Sequence, residues 1–535
     1  MKTDYIIIGA GSSGAVVANR LSENPNNNVL LLEAGRKPNF LSKIPGMYSL
    51  INRSKIDWAF STEPQKNVNN KKIFLPRGKV LGGCSSTNAM AYVRGNAEDF
   101  DYWAAKGNEG WDYQSVLPYF KKSEKNHAYQ DHFHGTEGEL NITKRKKYHD
   151  SSYAFIKSCK KNGINYVEDY NGENQEGVSF LQYTIHNNVR QSTFQSFLKP
   201  ILSRKNLQIR TGATVKKILI EKGKAVGVEI HTGKNNSEKI FAEKEIILCA
   251  GAFQSPQILK VSGIGPKDEL KKFGIEVLHE NNAVGENLKD HIWVPTSEMS
   301  NVPGLNRMVK KQLFAGNLMN YWMKKESLFN HSIIETTAFY KSSAAEKIPD
   351  LQMHLSPMHM GGEYKTDMYN PFSFPKTNGF SILSILLHPE STGNITLNSN
   401  DSRVVPKIQP NFLSVVNDAK KLIIGLRKSM QIIDSENFDT IRLGKKMNYP
   451  KLNSSDDELL QHIYKTLETL YHPVSTCKMG SDENSVVNSR LQVHGIENLR
   501  VADASVMPEI ITGNTNAACI MIGEKCADMI LEDNK

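Results

Sequence analysis

The chain has few cysteines and no long apolar run. Its six cysteines are scattered over 535 residues, without a C-x-x-C or C-x-x-C-H pair. A disulfide scaffold, a zinc knuckle and covalently attached haem are therefore unsupported, and reduced thiols in a cytosol are the simplest interpretation. No stretch approaches the roughly 20 consecutive apolar residues of a membrane-spanning helix, and the N-terminus lacks the features of a secretory signal. We expect a cytoplasmic protein.

Positive charge is in excess but is concentrated in only one short run. The 66 lysines and arginines exceed the 56 aspartates and glutamates, giving a net charge of +10, and the only dense basic run is KRKK at 144–147. A solvated loop explains this run better than nucleic-acid binding. We expect no nucleic-acid partner and at most peripheral contact with anionic lipid at the inner face of a membrane.

The N-terminus carries the pattern of a dinucleotide-binding unit, DYIIIGAGSSGAVVANRLSENPNNNVLLLEAG. It reads as a buried strand, a tight turn, a helix and a second strand. In the turn, Gly9 permits the sharp bend, Gly11 lets a pyrophosphate approach the backbone, and Gly14 lets the helix pack closely on the strand. Glu33 ends the second strand, where its carboxylate can accept hydrogen bonds from a ribose diol. The pattern predicts a bound ADP moiety, which leaves NAD, NADP and FAD open.

Four further stretches carry a resemblance that narrows this choice. They are RGKVLGGCSSTNAMAYVRG (Arg77–Gly95), GAFQSPQILKVSGIG (Gly251–Gly265), YHPVSTCKMG (Tyr471–Gly480) and LRVADASVMPEIITGNTNAACIMIGEKCADMI (Leu499–Ile530). Together they resemble the glucose–methanol–choline (GMC) oxidoreductases, a family that binds FAD, and most closely its choline and alcohol dehydrogenases. The resemblance covers nearly the whole chain.

The resemblance implies an α/β fold with a Rossmann-like FAD-binding domain and a second, substrate-binding domain built on an antiparallel sheet. The length, which exceeds a single ordinary core, suits two large domains or one domain with long insertions. We expect residues 1–299 to form the N-terminal part of the FAD-binding domain and residues 300–466 the substrate-binding domain. Residues 467–535 would return to the FAD-binding domain. Strand-like text in the second range, such as SILSILLH (381–388) and NITLNS (394–399), would form the roof of the substrate cavity.

FAD is the cofactor that the resemblance implies. Thr87 stands where some members carry a histidine that tethers the flavin, so we expect FAD without a covalent link. On sequence alone, Asp503 could instead be the N-cap of the helix that follows it. The predicted cofactor-binding residues are Gly9, Gly11, Ser13, Gly14, Glu33, Ala34, Arg77, Gly78, Gly82, Gly83, Ser85, Asn88, Ala89, Val215, Ala250, Gly251, Asp503, Ala504 and Asn516.

His472 matches the active-site histidine of the family, and Asn514 resembles its second active-site residue. Oxidation of an alcohol needs a base within reach of the hydroxyl, and imidazole has a suitable pKa. An asparagine amide can hold the alkoxide oxygen without competing for the proton. A zinc site is disfavoured because His472 and Cys477 make only two ligands, and a cysteine nucleophile would need an activated thiolate. We predict no metal.

The resemblance predicts oxidation of an alcohol to an aldehyde or ketone by hydride transfer to FAD, with His472 as the base. Glu335 and His354 are candidate substrate contacts in the roof, and the electron acceptor would be quinone-like or oxygen. The alternatives are an oxidase using oxygen, a non-redox or light-driven FAD enzyme on the same scaffold, and a protein that binds its dinucleotide passively. The identity of the alcohol stays open.

Overall fold

The computed structural model describes residues 3–361, 366–447 and 453–534. Its β-strands are β1 (Tyr5–Ile8), β2 (Val29–Glu33), β3 (Phe60–Ser61), β4 (Phe74–Leu75), β5 (Glu124–Asn126), β6 (Leu140–Ile142), β7 (Gly177–Phe180), β8 (Ile185–His186), β9 (Val189–Arg190), β10 (Leu207–Thr211), β11 (Val215–Glu221), β12 (Lys224–His231), β13 (Ser237–Phe241), β14 (Glu245–Leu248), β15 (Ile264–Gly265), β16 (His279–Glu280), β17 (Ile292–Ser300), β18 (Thr336–Tyr340), β19 (Leu351–Ser356), β20 (Gly379–Leu386), β21 (Asn394–Thr396), β22 (Lys407–Gln409), β23 (Arg442–Met447), β24 (Glu468–Thr469) and β25 (Leu499–Val501).

The α-helices lie between these strands and at the C-terminal end of the described chain. They are α1 (Ser12–Leu21), α2 (Phe40–Lys43), α3 (Ala97–Ala105), α4 (Tyr113–Ser123), α5 (Asp150–Lys161), α6 (Gln254–Val261), α7 (Lys267–Lys272), α8 (Lys311–Trp322), α9 (Val416–Ile433), α10 (Asp456–Thr466) and α11 (Asn516–Asp533). Among the described residues, no helix is long and apolar enough to cross a membrane.

A five-stranded parallel sheet, ordered β10-β2-β1-β14-β25, forms the nucleotide-binding half of the molecule. Its central strand β1 is YIII, and all four side chains are buried because helices and loops cover both faces. The C-terminal segment returns here: β25 pairs with β14, and α11 packs along α1. Gly523 allows that close packing, since an added Cβ would lie 2.8 Å from the carbonyl oxygen of Ser13. The predicted Rossmann-like unit is confirmed.

An antiparallel sheet covers the other side of the molecule, with strand order β23-β17-β20-β19-β18-β7 and β24 paired to β17. Strands β18, β19 and β20 are buried along their whole lengths. Helix α9 packs on β20 through apolar residues that include Leu422 and Leu426. The SILSILLH stretch lies in β20 and its following turn, as the sequence predicted.

The NITLNS stretch departs from the expectation for the roof. Its strand β21 pairs only with β22, and Ile395 and Ile408 pack against Phe60 and Phe253 beside the nucleotide-binding half. The antiparallel sheet also begins inside the first expected domain, because β7 and β17 belong to it. The chain therefore passes between the two halves more often than the boundaries at 299 and 466 imply. The domain division itself stays a prediction.

Candidate active site

A cavity lies between the two sheets and receives residues from both. The parallel sheet contributes the ends of β1, β2 and β14 with the turns after them, and the antiparallel sheet contributes Trp293, His354 and Leu383. Most of the predicted site residues line this cavity: Gly9, Gly11, Ser13, Glu33, Ala34, Arg77, Gly78, Gly83, Asn88, Ala89, Val215, Ala250, Gly251, His354, His472, Asp503, Ala504, Asn514 and Asn516. Gly14, Gly82, Ser85 and Glu335 are absent from its lining.

The three glycines of the first turn differ in the space around them. An added Cβ would lie 2.4 Å from the Cys249 carbonyl oxygen at Gly9 and 2.0 Å from the Gly9 carbonyl oxygen at Gly14. At Gly11, by contrast, the nearest atom would be 3.9 Å away. Gly9 and Gly14 are therefore required by backbone packing, whereas the space in front of Gly11 is open for a ligand.

Two helices begin at the cavity. No side chain caps the N-terminus of α1 or that of α11, and the two ends meet where the Ser12 hydroxyl donates to Asn516 Oδ1 at 2.8 Å. Uncapped N–H groups and the helix dipole favour an anionic ligand. Ser13 lines the cavity, but its hydroxyl donates to the Cys519 carbonyl at 2.7 Å and so joins the two helices.

Glu33 lies at the end of β2 as predicted. Its carboxylate accepts the N–H of Ala10 at 3.0 Å and of Gly35 at 2.7 Å. Burial raises its pKa to about 7, although these two N–H groups oppose the shift. A carboxylate has about four acceptor positions, so two remain for a ribose diol.

The glycine-rich loop in the stretch Arg77–Gly95 folds back on itself. An added Cβ at Gly78 would lie 2.3 Å from backbone atoms of Gly83, which explains the small residues here. Gly82 adopts φ +91°, which favours glycine, and the Ser85 hydroxyl lies 3.0 Å from Thr193 Oγ1. These two residues therefore contribute to the conformation of the loop, although neither lines the cavity.

Arg190 holds the same loop and was missed by the sequence analysis. It is 2% exposed, and it donates to the carbonyl of Ser42 at 2.8 Å and to both the carbonyl and the side-chain oxygen of Asn88 at 2.6 and 2.8 Å. Burial lowers its pKa to about 9. The sequence NNVRQST around it offers no motif that we could have read.

Asp503 lines the cavity and is also an N-cap, the alternative that the sequence left open; its contact with the cofactor stays a prediction. Its Oδ2 accepts the Gly251 N–H at 2.8 Å and the Ser255 hydroxyl at 2.6 Å, while Oδ1 accepts the Ser505 N–H and caps a short 3-10 turn. Gly251 has φ +86° and open space around its Cα. Asp503 thus fixes the β14–α6 turn at the cavity wall.

His472 and Asn514 lie side by side in the cavity wall. The amide nitrogen of Asn514 is 3.2 Å from His472 Nε2, and His472 Nδ1 is 2.9 Å from Nδ1 of His291. With the amide as donor, the Nε2 lone pair of His472 accepts from Asn514 at the cavity wall, and Nδ1–H of His472 donates to His291. His291 belongs to the stretch VGENLKDH, to which the sequence analysis assigned no role.

The electrostatics of this pair keep His472 neutral. Burial lowers the pKa of His472 well below its usual value, and repulsion from His291 when protonated, from the Arg77 guanidinium and from His354 when protonated lowers it further. Burial also lowers the pKa of His291 to about 3. The backbone N–H of His472 donates to Asp290 Oδ1 at 2.7 Å, which fixes the backbone at His472. Burial raises the pKa of the Cys477 thiol, so a cysteine nucleophile gains no support.

The two predicted substrate contacts differ in position. His354 lines the cavity, its Nδ1 lies 3.3 Å from the Thr336 carbonyl, and its Nε2 has no protein partner in the described chain. Glu335 instead pairs with Arg145 and accepts the His149 N–H and the Ser152 hydroxyl at 2.8 and 2.7 Å. These contacts do not support a substrate role for Glu335. They also place Arg145, from the KRKK run, in a partly buried ion pair rather than in a solvated loop.

The residues present fit FAD. The space at Gly11 and the α1 N-terminus suits a pyrophosphate, Glu33 suits a ribose, and the buried Oδ1 of Asn514 has no protein partner in the described chain. Such a fold and site define a flavin-dependent oxidoreductase.

Comparison with known proteins agrees. Residues 3–293 and 389–523 match the N- and C-terminal models of the GMC oxidoreductases. The chain is 39% identical to the alcohol dehydrogenase [acceptor] of Pseudomonas putida over 99% of this chain and 95% of the relative. It is 38% identical to the oxygen-dependent choline dehydrogenase of Brucella anthropi over 99% and 96% of the two chains. The chain therefore belongs to the GMC oxidoreductase family, whose cofactor is FAD.

Solved structures show the same fold. Pyridoxine 4-oxidase from Mesorbium loti superposes with a TM-score of 0.89 at 28% identity, covering 98% of this chain and 99% of that one. A variant of formate oxidase from Aspergillus oryzae superposes with a TM-score of 0.90 at 27% identity, covering 99% and 98%.

Proposed function

We propose that this enzyme oxidises an uncharged, largely apolar alcohol to an aldehyde or ketone, with His472 as the proton acceptor and FAD as the hydride acceptor. Of the two relatives named above, one is an alcohol dehydrogenase and the other a choline dehydrogenase. The residues that line the cavity must therefore indicate whether the substrate is charged or uncharged.

The composition of the cavity wall beyond His472 carries this proposal. The only carboxylates among the described lining residues are Glu33 and Asp503, and both bind backbone N–H groups at the nucleotide end. Much of the remaining wall is apolar and includes Met90, Trp293, Met308, Ile334, Met358, Met360, Met368, Phe374 and Leu383, although neutral polar groups such as Tyr369 and Tyr471 also line it. Methionines and aromatic rings bind alkyl chains well, whereas a quaternary ammonium would enter without a counter-charge.

The proton acceptor is His472 Nε2. With Nδ1–H donating to His291, the lone pair lies on Nε2, where it accepts the Asn514 amide N–H until substrate binds, and because the pKa is depressed the imidazole is neutral at physiological pH. An alcohol hydroxyl that replaces this direct contact would donate its proton to Nε2 and accept from Asn514 Nδ2–H. The amide would then stabilise negative charge as it develops on oxygen. The apolar wall excludes water from this contact.

Bound FAD supplies the acceptor for the hydride that leaves the carbinol carbon. The residues that would hold it are the first glycine turn, Glu33, the Gly78–Ala89 loop, Asp503 and the N-terminus of α11. Thr87 lines the cavity and offers no nucleophilic nitrogen, so we propose non-covalent binding. A quinone-like compound or oxygen then reoxidises the enzyme, and dehydrogenases and oxidases both occur among its relatives and structural neighbours.

An alcohol panel tests the proposal. The FAD-loaded enzyme is assayed with primary aliphatic alcohols of increasing length, and with choline, using an artificial electron acceptor. Each buried methylene contributes about 0.8 kcal/mol, so kcat/KM should rise about fourfold per methylene until the cavity is filled. Choline, matched in size to a short branched alcohol, should be the poorer substrate. A higher kcat/KM for choline than for every uncharged alcohol would overturn the proposal.

A further inference from the structure

The mouth of the cavity is surrounded by apolar side chains that are open to solvent. Phe372 lines the cavity and is 56% exposed, so it lies where the cavity meets solvent. Four more large apolar side chains are exposed beside it: Phe40 at 46%, Met319 at 60%, Trp322 at 62% and Met323 at 49%. We call these five residues the mouth patch.

Ring contacts show that the mouth patch is one surface. The rings of Phe40 and Trp322 are 5.9 Å apart, which joins α2 to the end of α8. Phe314, in the first turn of α8, lies 6.4 Å from the Phe372 ring and also lines the cavity. The inner face of α8 packs through Phe314, Leu318 and Tyr321 on the apolar cluster of Ile44, Met47 and Phe329. Its outer face carries Met319 and Trp322, which are 60% and 62% exposed, and Trp322 contacts only the edge of the patch at Phe40 among the ring pairs of the described residues.

Positive charge surrounds the same surface. Residues 307–326 contain five basic residues and one acidic residue, Glu326. Exposed Arg307 and Lys310 precede the helix, and exposed Lys324 and Lys325 follow it. A helix with Trp and Met on its outer face and lysines at both ends is typical of segments that lie in the headgroup region of a bilayer. A second copy of this chain would bring the same positive charges against each other, which disfavours self-association through this face.

We propose that the mouth patch docks on the surface of an anionic phospholipid bilayer, so that the cavity opens toward the membrane. Met319, Trp322 and Met323 enter the headgroup boundary, and Arg307, Lys310, Lys324 and Lys325 contact lipid phosphates. This geometry lets an apolar alcohol or an apolar electron acceptor pass between the bilayer and the cavity without crossing water. The docking itself does not depend on the substrate proposed above.

Vesicle binding of the full-length, FAD-loaded protein tests the docking. The bound fraction is measured by sedimentation with vesicles of equal parts phosphatidylcholine and phosphatidylglycerol, and with phosphatidylcholine alone. The wild type should bind the anionic vesicles and release as salt is raised. The triple variant Met319→Gln, Trp322→Gln, Met323→Gln should partition roughly a hundredfold more weakly or worse. Neutralising Lys310, Lys324 and Lys325 to Gln should weaken binding about fivefold per residue.

Matched controls distinguish binding through the mouth patch from non-specific adsorption to vesicles. Phe241→Gln removes a side chain that is equally exposed (56%) on β13, and Lys146→Gln with Lys147→Gln neutralises the exposed half of the KRKK run. Both controls should bind vesicles like the wild type. None of the substituted residues lines the cavity, so FAD absorbance and activity on a water-soluble alcohol should stay unchanged and report correct folding.

Depth is read from Trp322. Lipids brominated on their acyl chains should quench a part of the tryptophan fluorescence that Trp322→Phe removes. Equal vesicle binding by the mouth-patch triple variant and the wild type would overturn the proposal. So would a wild type that ignores anionic vesicles but elutes as a dimer which the triple variant dissociates, since the face would then join two copies of the chain.

Discussion

Replacement of His291 is the sharpest test of the active-site geometry, because this residue acts on the reaction only through His472. In His291→Leu, the Nδ1–H of His472 loses its acceptor at 2.9 Å and stays buried without a partner. An unsatisfied buried donor costs about 1–3 kcal/mol. The tautomer with its proton on Nε2 avoids that cost, but it cannot accept a proton from the alcohol.

The population of the competent tautomer should therefore fall by a factor of about 5 to 150, and the rate of flavin reduction with it. His291→Asn is the matched control, since its side-chain oxygen can accept from Nδ1–H near the position of the lost nitrogen. We expect Asn to restore most of the rate that Leu loses. The measurement is anaerobic bleaching of the flavin absorbance at saturating alcohol, with the FAD content of each variant as the check on folding.

The pH profile gives a second readout that a merely structural role would not move. In the wild type, the depressed pKa keeps His472 neutral as pH falls through 6.5, so kcat/KM should decline only at lower pH. His291, with a pKa of about 3, is neutral in this range, so its replacement removes no positive charge. The Leu variant takes the acceptor from the Nδ1–H of the imidazolium, so its acid limb should move to lower pH, whereas the Asn variant keeps an acceptor and should keep the wild-type limb. A Leu variant as fast as the wild type, or an Asn variant as slow as Leu, would refute the tautomer argument.

Three further substitutions separate the other roles. His472→Gln should keep FAD but slow flavin reduction about 10²- to 10⁴-fold, and a loss of less than tenfold would assign the base elsewhere. Gly11→Ala should fold but bind FAD more weakly, because its added Cβ occupies open cavity space, and an FAD affinity equal to that of the wild type would place the pyrophosphate elsewhere. Gly14→Ala should fail to fold, because its Cβ would lie 2.0 Å from a backbone oxygen. Glu335→Gln leaves Arg145 without its counter-charge and should lower the free energy of unfolding, measured by chemical denaturation, by about 2 kcal/mol. The preference between choline and uncharged alcohols should not change. A changed preference would show that Glu335 contacts the substrate.

The parts of the fold that the sequence predicts correctly are those in which local backbone geometry limits the residue. Gly9 needs positive φ and Gly14 needs a missing Cβ, so each leaves a mark that can be read in isolation. The YIII run of β1 and the buried run of β20 are apolar because both faces are covered, which is likewise a local property. The assignment of NITLNS to the roof was wrong because alternation predicts a strand but not its partner, and β21 pairs with β22 alone.

Orientation of side chains could not be predicted, because the partners are distant in sequence. Glu335 lies in strand-like text near the substrate side of the fold, but its carboxylate is bound by Arg145, 190 residues earlier. Arg145 in turn belongs to a run that looks solvated, and only its neighbours Lys146 and Lys147 are exposed. From local sequence, Glu335 is predicted to contact the substrate and Arg145 to be solvated, whereas the two side chains form a largely buried ion pair.

The same reasoning explains why His291 and Arg190 escaped notice while His472 did not. His472 resides in a stretch whose residues H-P-x-x-T-C-K-M-G resemble a family pattern, whereas His291 meets it from 181 positions away and Arg190 reaches Asn88 from 102 positions away. Both are buried groups whose charged forms are disfavoured, and each makes hydrogen bonds that orient a residue of the cavity wall. Burying a polar group is costly unless it is hydrogen-bonded. A buried histidine or arginine that donates to, or accepts from, a residue of the cavity wall is therefore a better guide to function here than its local sequence.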